Sequence, residues 1–432
     1  MEQELIDDIK LGTDQKAVFE LIENKSESVF VTGGAGTGKS LLLKYFVNNT
    51  TKRCIVVAPT GVAALNAGGQ TIHSLFKLSF EIQEMKDIYV GTELKYLLNN
   101  IDTLIIDEVS MVCVDIMEII NKKLQIAREN NEPFGGVQLV LFGDLFQLPP
   151  VISDKDGYRY LDDTYGSVFF FSAPSIKKMQ LKVIELKENF RQNDKSFVSI
   201  LNCIRKGDRI SSSLIELNKR TCEKLPSEET IILSGRNETV TKINHDRLLK
   251  IDSEEFIYEA SVVGDFKESA FPTEKFLKLK VGAQVMMMKN DTTGKKRWVN
   301  GTIGTIEALS ENLIEVKING VIHAVDKAMW ENHQYHYDAD IKELSKDVIG
   351  VYKQFPLRLA WAITIHKSQG QTFSSVIIDL RQGAFSSGQT YVALSRCRTL
   401  EKTYLLSPIK YSDILVSNKI IEYMKNIDCV FN

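Results

Sequence analysis

Short, uninterrupted apolar runs alternate with helix-period segments over the first 180 residues of the chain. The runs are Val29–Val31, Ile55–Ala58, Leu104–Ile106 and Leu139–Phe142. They lack the apolar–polar alternation of a half-exposed strand, and each is followed by turn residues and then a helical pattern. Strands covered on both faces read this way, so the pattern predicts βαβ units and a parallel sheet. A second region of the same kind begins near Leu181, with an apolar run at Ile231–Leu233. It resumes after about Phe355 with Val376–Asp379 and Thr403–Leu406. Between the two pieces the period changes to two. Gln284–Met288, Thr302–Ile306 and Leu313–Ile318 alternate and are separated by turn pairs such as Asn290-Asp291 and Asn319-Gly320. That spacing predicts a small antiparallel barrel. The expected organisation is α/β: a first lobe over 1–180, a second lobe over 181–250 and 353–432, and a barrel over 251–352 inserted into the second.

Composition narrows the class without naming an activity. Of 432 residues, 44% are hydrophobic and 25% charged, enough apolar surface for a substantial core in a soluble chain. Lys and Arg total 53 against 56 Asp and Glu, a net charge of −3, which excludes a globally basic coat but not a local basic groove. The six cysteines, Cys54, Cys113, Cys203, Cys222, Cys397 and Cys429, form no C-x-x-C pair. Scattered thiols of this kind read as apolar fillers in a reducing compartment. The acidic, polar start matches neither a secretory signal nor a transit peptide, and no apolar run approaches the roughly 18 residues of a membrane span. A cytoplasmic, membrane-free setting is expected. His333 and His336 beside Asp338 form an H-x-x-H that lacks a cysteine, a weak basis for a metal site.

The chemistry begins after the first apolar run. Gly33-Gly34-Ala35-Gly36-Thr37-Gly38-Lys39-Ser40 fits G-x-x-x-x-G-K-[ST], with a strand before it and a helix-period segment, Leu41–Val47, after it. Gly33, Gly36 and Gly38 let backbone N–H groups of the loop, Thr37 included, wrap a triphosphate at a helix N-terminus. Lys39 would bridge the β- and γ-phosphates and the Ser40 hydroxyl would ligate Mg²⁺. A bare glycine-rich turn is the competing reading, and the flanking elements argue against it. About 70 residues later, Leu104–Ile106 ends in Asp107-Glu108. Asp107 would hold Mg²⁺ through water, and Glu108 would polarise the attacking water. The run Leu139–Phe142 ends in Gly143-Asp144, with Gln147 placed either to sense the γ-phosphate or simply to open a proline-terminated turn.

Taken together, these segments resemble the superfamily-one helicases of the 5′-to-3′ class, and within them the petite-integration-frequency (Pif) branch related to RecD and the phage Dda helicase. The resemblance covers nearly the whole chain. It rests on the phosphate loop, on Ala58-Pro59-Thr60-Gly61-Val62-Ala63-Ala64 and on Thr71-Ile72-His73-Ser74-Leu75-Phe76. It continues through Asp107-Glu108-Val109-Ser110-Met111, Gly143-Asp144 with Gln147-Leu148-Pro149-Pro150, and Glu188-Asn189-Phe190-Arg191-Gln192. Farther on are Val281–Met286, Trp298–Thr302, Thr364–Thr372 and Tyr391–Arg396. Two departures stand out: Cys113-Val114 precedes the acidic Asp115, and the long amino-terminal extension of many nuclear members is not present in this sequence.

Such a likeness implies two RecA-like P-loop lobes with an SH3-like barrel, and ATP with Mg²⁺ held between the lobes. It implies that Arg191 and Arg396 neutralise the γ-phosphate, that Gln15 reads adenine, and that Gly370 belongs to the nucleotide site. It further implies a DNA strand touched by Thr60, Gly61, Thr71 and His73 in one lobe and by Thr364, His366, Lys367 and Ser368 in the other. From the residues alone, a helix cap at Thr60 and a core histidine at His73 are the competing, lesser readings. The four donors from Thr364 to Ser368 would be costly inside a core, which favours a ligand-facing position. Lys289 with Lys295-Lys296-Arg297-Trp298 would line the DNA path or form a solvated turn. A small strand-separating wedge is expected over about 77–98, including the helix-period Glu93–Leu98. Movement from 5′ to 3′ on single-stranded DNA by a monomer, and action on duplex, forked or G-quadruplex DNA, belong to the resemblance only. Two other classes stay open: a P-loop ATPase acting on something else, and a DNA-binding module without turnover.

Overall fold

The computed structural model describes the chain apart from residues 1–10, 80–81, 83–84, 86–87, 153–154, 180, 193, 223–229, 292, 294–296, 339–342 and 428–432, and apart from the side chains of 269, 336–338, 343–344 and 346. Cys429, Lys295, Lys296, part of the expected wedge, and the side chains of His336 and Asp338 therefore lie outside the described residues. The chain divides into two compact units. One comprises Met1–Phe190, Asn332–Ile349 and Ser417–Asn432, the other Arg191–Glu331 and Gly350–Val416.

The first unit is built on β1 (Val29–Gly33), β2 (Cys54–Ala58), β3 (Gln70–Thr71), β4 (Thr103–Ile106), β5 (Gln138–Phe142) and β6 (Lys182–Leu186). They form one six-stranded sheet in the order β3-β2-β4-β5-β1-β6. Every pairing in it is parallel. β1, β4 and β5 are buried at every position, which explains their unbroken apolar runs. Val29 and Val31 pack with Leu42, Phe46, Ile105, Val140, Phe142 and Ile184 in one core. Each such fully buried side chain is worth about 1.5–3 kcal/mol. The strand order has a consequence for the chemistry. β1 and β4 flank β5, so their carboxyl ends lie two strand spacings apart, about 10 Å. In open parallel sheets that edge is where ligands bind.

The expected boundary at 180 differs from the structure. Lys182–Leu186 pairs with β1, Val29 to Lys182 through Gly33 to Leu186, and so completes the first sheet. The terminal helix Asn418–Lys425 also belongs to the first unit, where Tyr423 stacks on Phe171 with ring centroids 4.0 Å apart. Residues 332–349, expected within the barrel, are in the first unit too; the Tyr335 hydroxyl accepts a hydrogen bond from the Val56 N–H at 3.3 Å. These long-range pairings leave no mark in local periodicity.

The second unit opens its sheet with β7 (Ile231–Ser234). Next come β8 (Glu255–Glu259), β9 (Ser261–Gly264), β10 (Phe276–Lys280), β11 (Gln284–Met287), β12 (Ile303–Leu309), β13 (Ile314–Ile318), β14 (Val321–Val325) and β17 (Leu357–Leu359), while β15 (Ala328–Asp338) and β16 (Glu343–Gln354) begin or end here and run through residues 332–349 of the first unit. Among these, β14-β13-β12-β11-β17 is a five-stranded antiparallel sheet and β10-β8 an antiparallel pair. β9 pairs antiparallel with β16 from Gly350 to Lys353. Val285, Ile306, Val316, Phe355 and Trp361 fill the core over these strands. Asn319 and Gly320 both have positive φ, 50° and 82°, the geometry of a two-residue hairpin turn. Asn290-Asp291 makes no such turn. Asp291 instead accepts two hydrogen bonds from the Arg297 guanidinium, from Nη2 at 2.8 Å and Nε at 3.1 Å, and closes a longer loop. β18 (Ala362–Thr364), β19 (Val376–Asp379) and β20 (Thr403–Leu405) then join β7 in a parallel sheet ordered β18-β7-β19-β20. Within the two parallel sheets, β3, β6 and β18 are the strands that the apolar runs did not announce.

Candidate functional site

The phosphate loop leaves β1 at Gly33 and enters the helix Lys39–Asn49. Gly38 caps that helix in the left-handed conformation, φ 79°, and a Cβ there would sit 2.4 Å from Gln15 Nε2, so only glycine fits. Gln15 is buried. Its Oε1 accepts from the Gly12 N–H at 3.0 Å, and its Nε2 donates to the carbonyls of Gly38 and Thr37 at 3.4 and 3.5 Å. The opposite side of the loop is tied by the Phe190 N–H, which donates to the Gly36 carbonyl at 2.8 Å, and by Asn189 Nδ2 to the Ala35 carbonyl at 2.9 Å. The Thr37 hydroxyl donates to the Gly34 carbonyl at 3.0 Å. Lys39 Nζ folds back on the loop and donates to the carbonyls of Gly33 (2.7 Å) and Gly34 (3.0 Å). These are bonds a phosphate oxygen can replace, and the charge stays with the loop.

Two strands away, β4 ends and the chain turns sharply. Glu108 has φ 50° and ψ 42° and precedes the short 3₁₀ turn Val109–Met111. A glutamate in the left-handed region costs on the order of 1 kcal/mol or more, and such strain is held where geometry matters. The Glu108 N–H donates to Asp107 Oδ1 at 2.9 Å. Burial pushes the Asp107 carboxyl up to about 7; the adjacent Glu108 charge adds to that, while Lys39 and Lys44 pull it down. A carboxyl so destabilised as an anion, on the sheet edge that carries the loop, suits a divalent cation. Asp107 and the exposed Ser40 hydroxyl are the two hard oxygen donors that would hold Mg²⁺ beside phosphates. Gln147 lies in the turn after β5, its N–H donating to the Asp144 carbonyl at 2.9 Å and its Nε2 to Asp144 Oδ2 at 3.4 Å.

Arg191 and Arg396 belong to the second unit, which brings the segments that carry them together. Arg191 Nη1 donates to the Ser395 carbonyl at 3.4 Å, and Gln192 Nε2 to the carbonyls of Ser395 and Cys397 at 3.3 and 3.2 Å. Desolvation holds the Arg191 guanidinium below its ordinary range. Arg396 is 1% exposed. It donates from Nε to the Val392 carbonyl (2.8 Å), from Nη1 to the carbonyls of Ser368 and Gln371 (both 3.2 Å), and from Nη2 to Ser395 Oγ (2.8 Å). In this structure Arg396 braces its own unit.

Thr60 and Thr71 are both helix caps. The Thr60 hydroxyl accepts from the Ala63 N–H at 3.2 Å, ahead of Gly61–Ala67, and that of Thr71 from the Ser74 N–H at 3.1 Å. Thr60 also lines, with Pro59, Ile72 and His73, a cavity of about 660 Å³ whose far wall includes Val112 and Pro150. His73 thus faces a concave surface of the first unit, and Gly61 starts the helix at its rim. In the second unit the expected cluster splits. Thr364 is buried and caps the Lys367 N–H at 3.2 Å. Ser368 is fully buried and donates to the Ile365 carbonyl at 2.7 Å, so it faces the interior and is not part of a ligand-facing surface. His366 is half-buried, its pKa lowered by desolvation, and Lys367 is exposed. A Cβ at Gly370, φ 77°, would meet open space. Arg297 of the basic stretch is committed to Asp291, and Lys289 Nζ donates to the Met329 carbonyl at 2.7 Å. Phe190 belongs to the Glu188–Gln192 motif, which by itself assigns it no role. It lies half-exposed against the phosphate loop, its ring within 3.5 Å of where side chains at Gly12 and Gly38 would begin. An exposed phenylalanine in a polar motif is the signal that pointed there.

The model of the PIF1-like helicase family matches residues 10–213. ATP-dependent DNA helicase Pif1 of Bdellovibrio bacteriovorus is 31% identical over 98% of this chain and 93% of its own length. The crystal structure of Bacteroides sp Pif1 in complex with ADP–AlF4 aligns with a TM-score of 0.89 at 40% identity, covering 97% of both chains. Bacteroides Pif1 bound to single-stranded DNA aligns at 0.70 with 41% identity and the same coverage. The chain spans about 60% of the length of the vertebrate relatives it matches. The Bdellovibrio relative and the Bacteroides structures match this chain over nearly its whole length, and the chain is a member of the PIF1-like helicase family.

Proposed function

We propose that this ATP-dependent DNA helicase translocates 5′ to 3′ on single-stranded DNA and unwinds the duplex ahead of it. The observation that carries the nucleotide half is the juxtaposition in one sheet of a phosphate cradle ending in Lys39 with the Asp107–Glu108 pair. Mg²⁺ on Ser40 and Asp107 would neutralise the phosphates, and Glu108 would take a proton from the attacking water. Gln15 and Phe190 offer the adenine an amide edge and an aromatic face. Arg191, with Arg396 once released from its carbonyls, would meet charge developing on the γ-phosphate, a contribution of about 10³–10⁵ in rate where arginine fingers have been measured. Gln147 would report the state of that phosphate.

The DNA half rests on the concave surface at Thr60, Gly61, Thr71 and His73, and on His366 and Lys367 of the second unit. On this reading the two parallel sheets are RecA-like lobes and the antiparallel strands an SH3-like barrel. Closure on ATP alternates the grip of each lobe on the strand. Separating a base-pair step costs about 1.4 kcal/mol on average, a modest load for one turnover. The family resemblance supports the polarity, action as a monomer, and forked or G-quadruplex DNA as substrates. Strand displacement on duplexes carrying either a 5′ or a 3′ tail tests the proposal: unwinding only with the 5′ tail is expected, and unwinding only with the 3′ tail overturns it. ATP hydrolysis that single-stranded DNA fails to stimulate would favour a P-loop ATPase with another substrate.

A further inference from the structure

One exposed ring on the second unit is held more firmly than an ordinary surface aromatic. Phe385 is 55% exposed, yet it is fixed from several directions. Its N–H donates to Gln389 Oε1 at 3.1 Å. The Arg236 guanidinium lies over the ring, 5.6 Å from its centroid, and the His366 ring lies nearly parallel to it, 6.5 Å away at 21°. From beneath, Gly235 lets the ring approach: a Cβ there would be 3.3 Å from Phe385 Cε1 and 2.9 Å from Gln389 Nε2. Gln389 is fully buried and, among the described residues, its Nε2 has no hydrogen-bond partner, a cost of about 1–3 kcal/mol accepted at a residue that pins the Phe385 backbone. Folding alone does not require an exposed ring to be braced in this way.

The surroundings indicate what the ring meets. Gly235 and Arg236 also line a crevice of about 350 Å³ outside the carboxyl ends of β7 and β19. There Arg381 is neutralised by Asp379, Nη2 to Oδ2 at 2.7 Å. Among the described residues Arg236 has no such carboxylate. An open aromatic face beside a free cation is the pairing used to hold single strands, one stacking on a base and the other meeting the neighbouring phosphate.

We propose that Phe385 is a stacking platform for a nucleobase of single-stranded DNA on the second unit, with Arg236 both orienting the ring and reaching the adjacent phosphate. This rests on the DNA reading above and adds a base contact to it.

Fluorescence anisotropy of the full chain with an oligothymidine, and with the same oligonucleotide carrying consecutive abasic sites, tests the platform. Phe385→Ala is expected to weaken oligothymidine binding roughly ten- to a hundredfold, the range seen when stacking aromatics are removed. Phe385→Trp should hold affinity, whereas Phe385→Leu, which keeps apolar bulk, should lose it. On the abasic strand, wild type and Phe385→Ala should bind alike. Arg236→Ala should lower the salt dependence by about one phosphate contact. Equal oligothymidine affinity for wild type and Phe385→Ala overturns the proposal, as does an equal loss on both strands, which would make the ring a support only. Phe385→Leu at an unchanged melting temperature guards against misfolding. A wild-type chain that binds neither strand would remove the DNA reading and the platform with it.

Discussion

Both units contain a parallel sheet whose carboxyl edge opens to solvent, yet they spend their polar groups differently. At the first sheet's edge the charged groups lie beside the phosphate loop. Lys39 rests on two loop carbonyls, Glu108 sits in strained backbone, and Asp107 is held near neutral pH with its charge poorly matched. At the second, most are committed: Arg396 to three carbonyls and a hydroxyl, Arg381 to Asp379, Ser368 to Ile365. Chemistry needs groups whose partners a substrate can replace, and a lever needs a rigid frame. On the proposed reading, hydrolysis belongs to the first edge, and the second supplies the frame on which Arg191, Arg236 and Phe385 are carried.

The sharpest way to break this contrast is Glu108→Gln. Turnover should fall by about 10²–10⁴, the usual worth of a general base, while nucleotide and DNA still bind; near-normal ATP hydrolysis would remove Glu108 from the chemistry. Lys39→Ala should lower turnover by roughly 10²–10³, in line with losing one group that stabilises transition-state charge, with little change in melting temperature because its bonds reach only loop carbonyls. Arg396→Ala should do the reverse on the stability axis. It strands buried carbonyls of Val392, Ser368 and Gln371, and a loss of about 3 kcal/mol or more is expected in denaturant unfolding. A stable Arg396→Ala chain that has lost only turnover would place Arg396 with the available groups.

Asp107 gives the pH test. Its folded pKa, about 7, lies above the ordinary carboxyl value, so the folded state holds the extra proton. Its contribution to stability is complete below about pH 4 and is lost as pH rises through 7. Affinity for Mg²⁺·ATP should therefore weaken, by up to about tenfold per pH unit, as pH falls below 7. Asp107→Asn should flatten both profiles, measured by melting and by titration calorimetry. The smallest effect is expected at Thr60. Thr60→Ala removes a cap worth about 1 kcal/mol, and Thr60→Ser should restore it. A DNA-affinity loss that serine does not repair would point to a contact made by the methyl group.

Much of the catalytic edge was legible in order along the chain. The phosphate loop, the carboxylate pair and the seven apolar runs that became strands depend on backbone freedom, strand burial and charge within a few residues of one another, and local sequence records those. Five matters were not recorded. β6 pairs with β1 across some 150 residues, and the terminal helix docks on Phe171. Ser368 turns inward while His366 stays at the surface. Arg396 spends its guanidinium on carbonyls, and Phe385 becomes a braced, exposed ring between Arg236 and His366. Each depends on which distant atoms arrive at a given point. Sequence alone determined the elements and the phosphate chemistry, because those follow from neighbours along the chain. Which groups remain free to act and which are consumed in holding the frame was decided only by tertiary packing, because a donor's availability depends on every acceptor that folding brings within 3 Å of it.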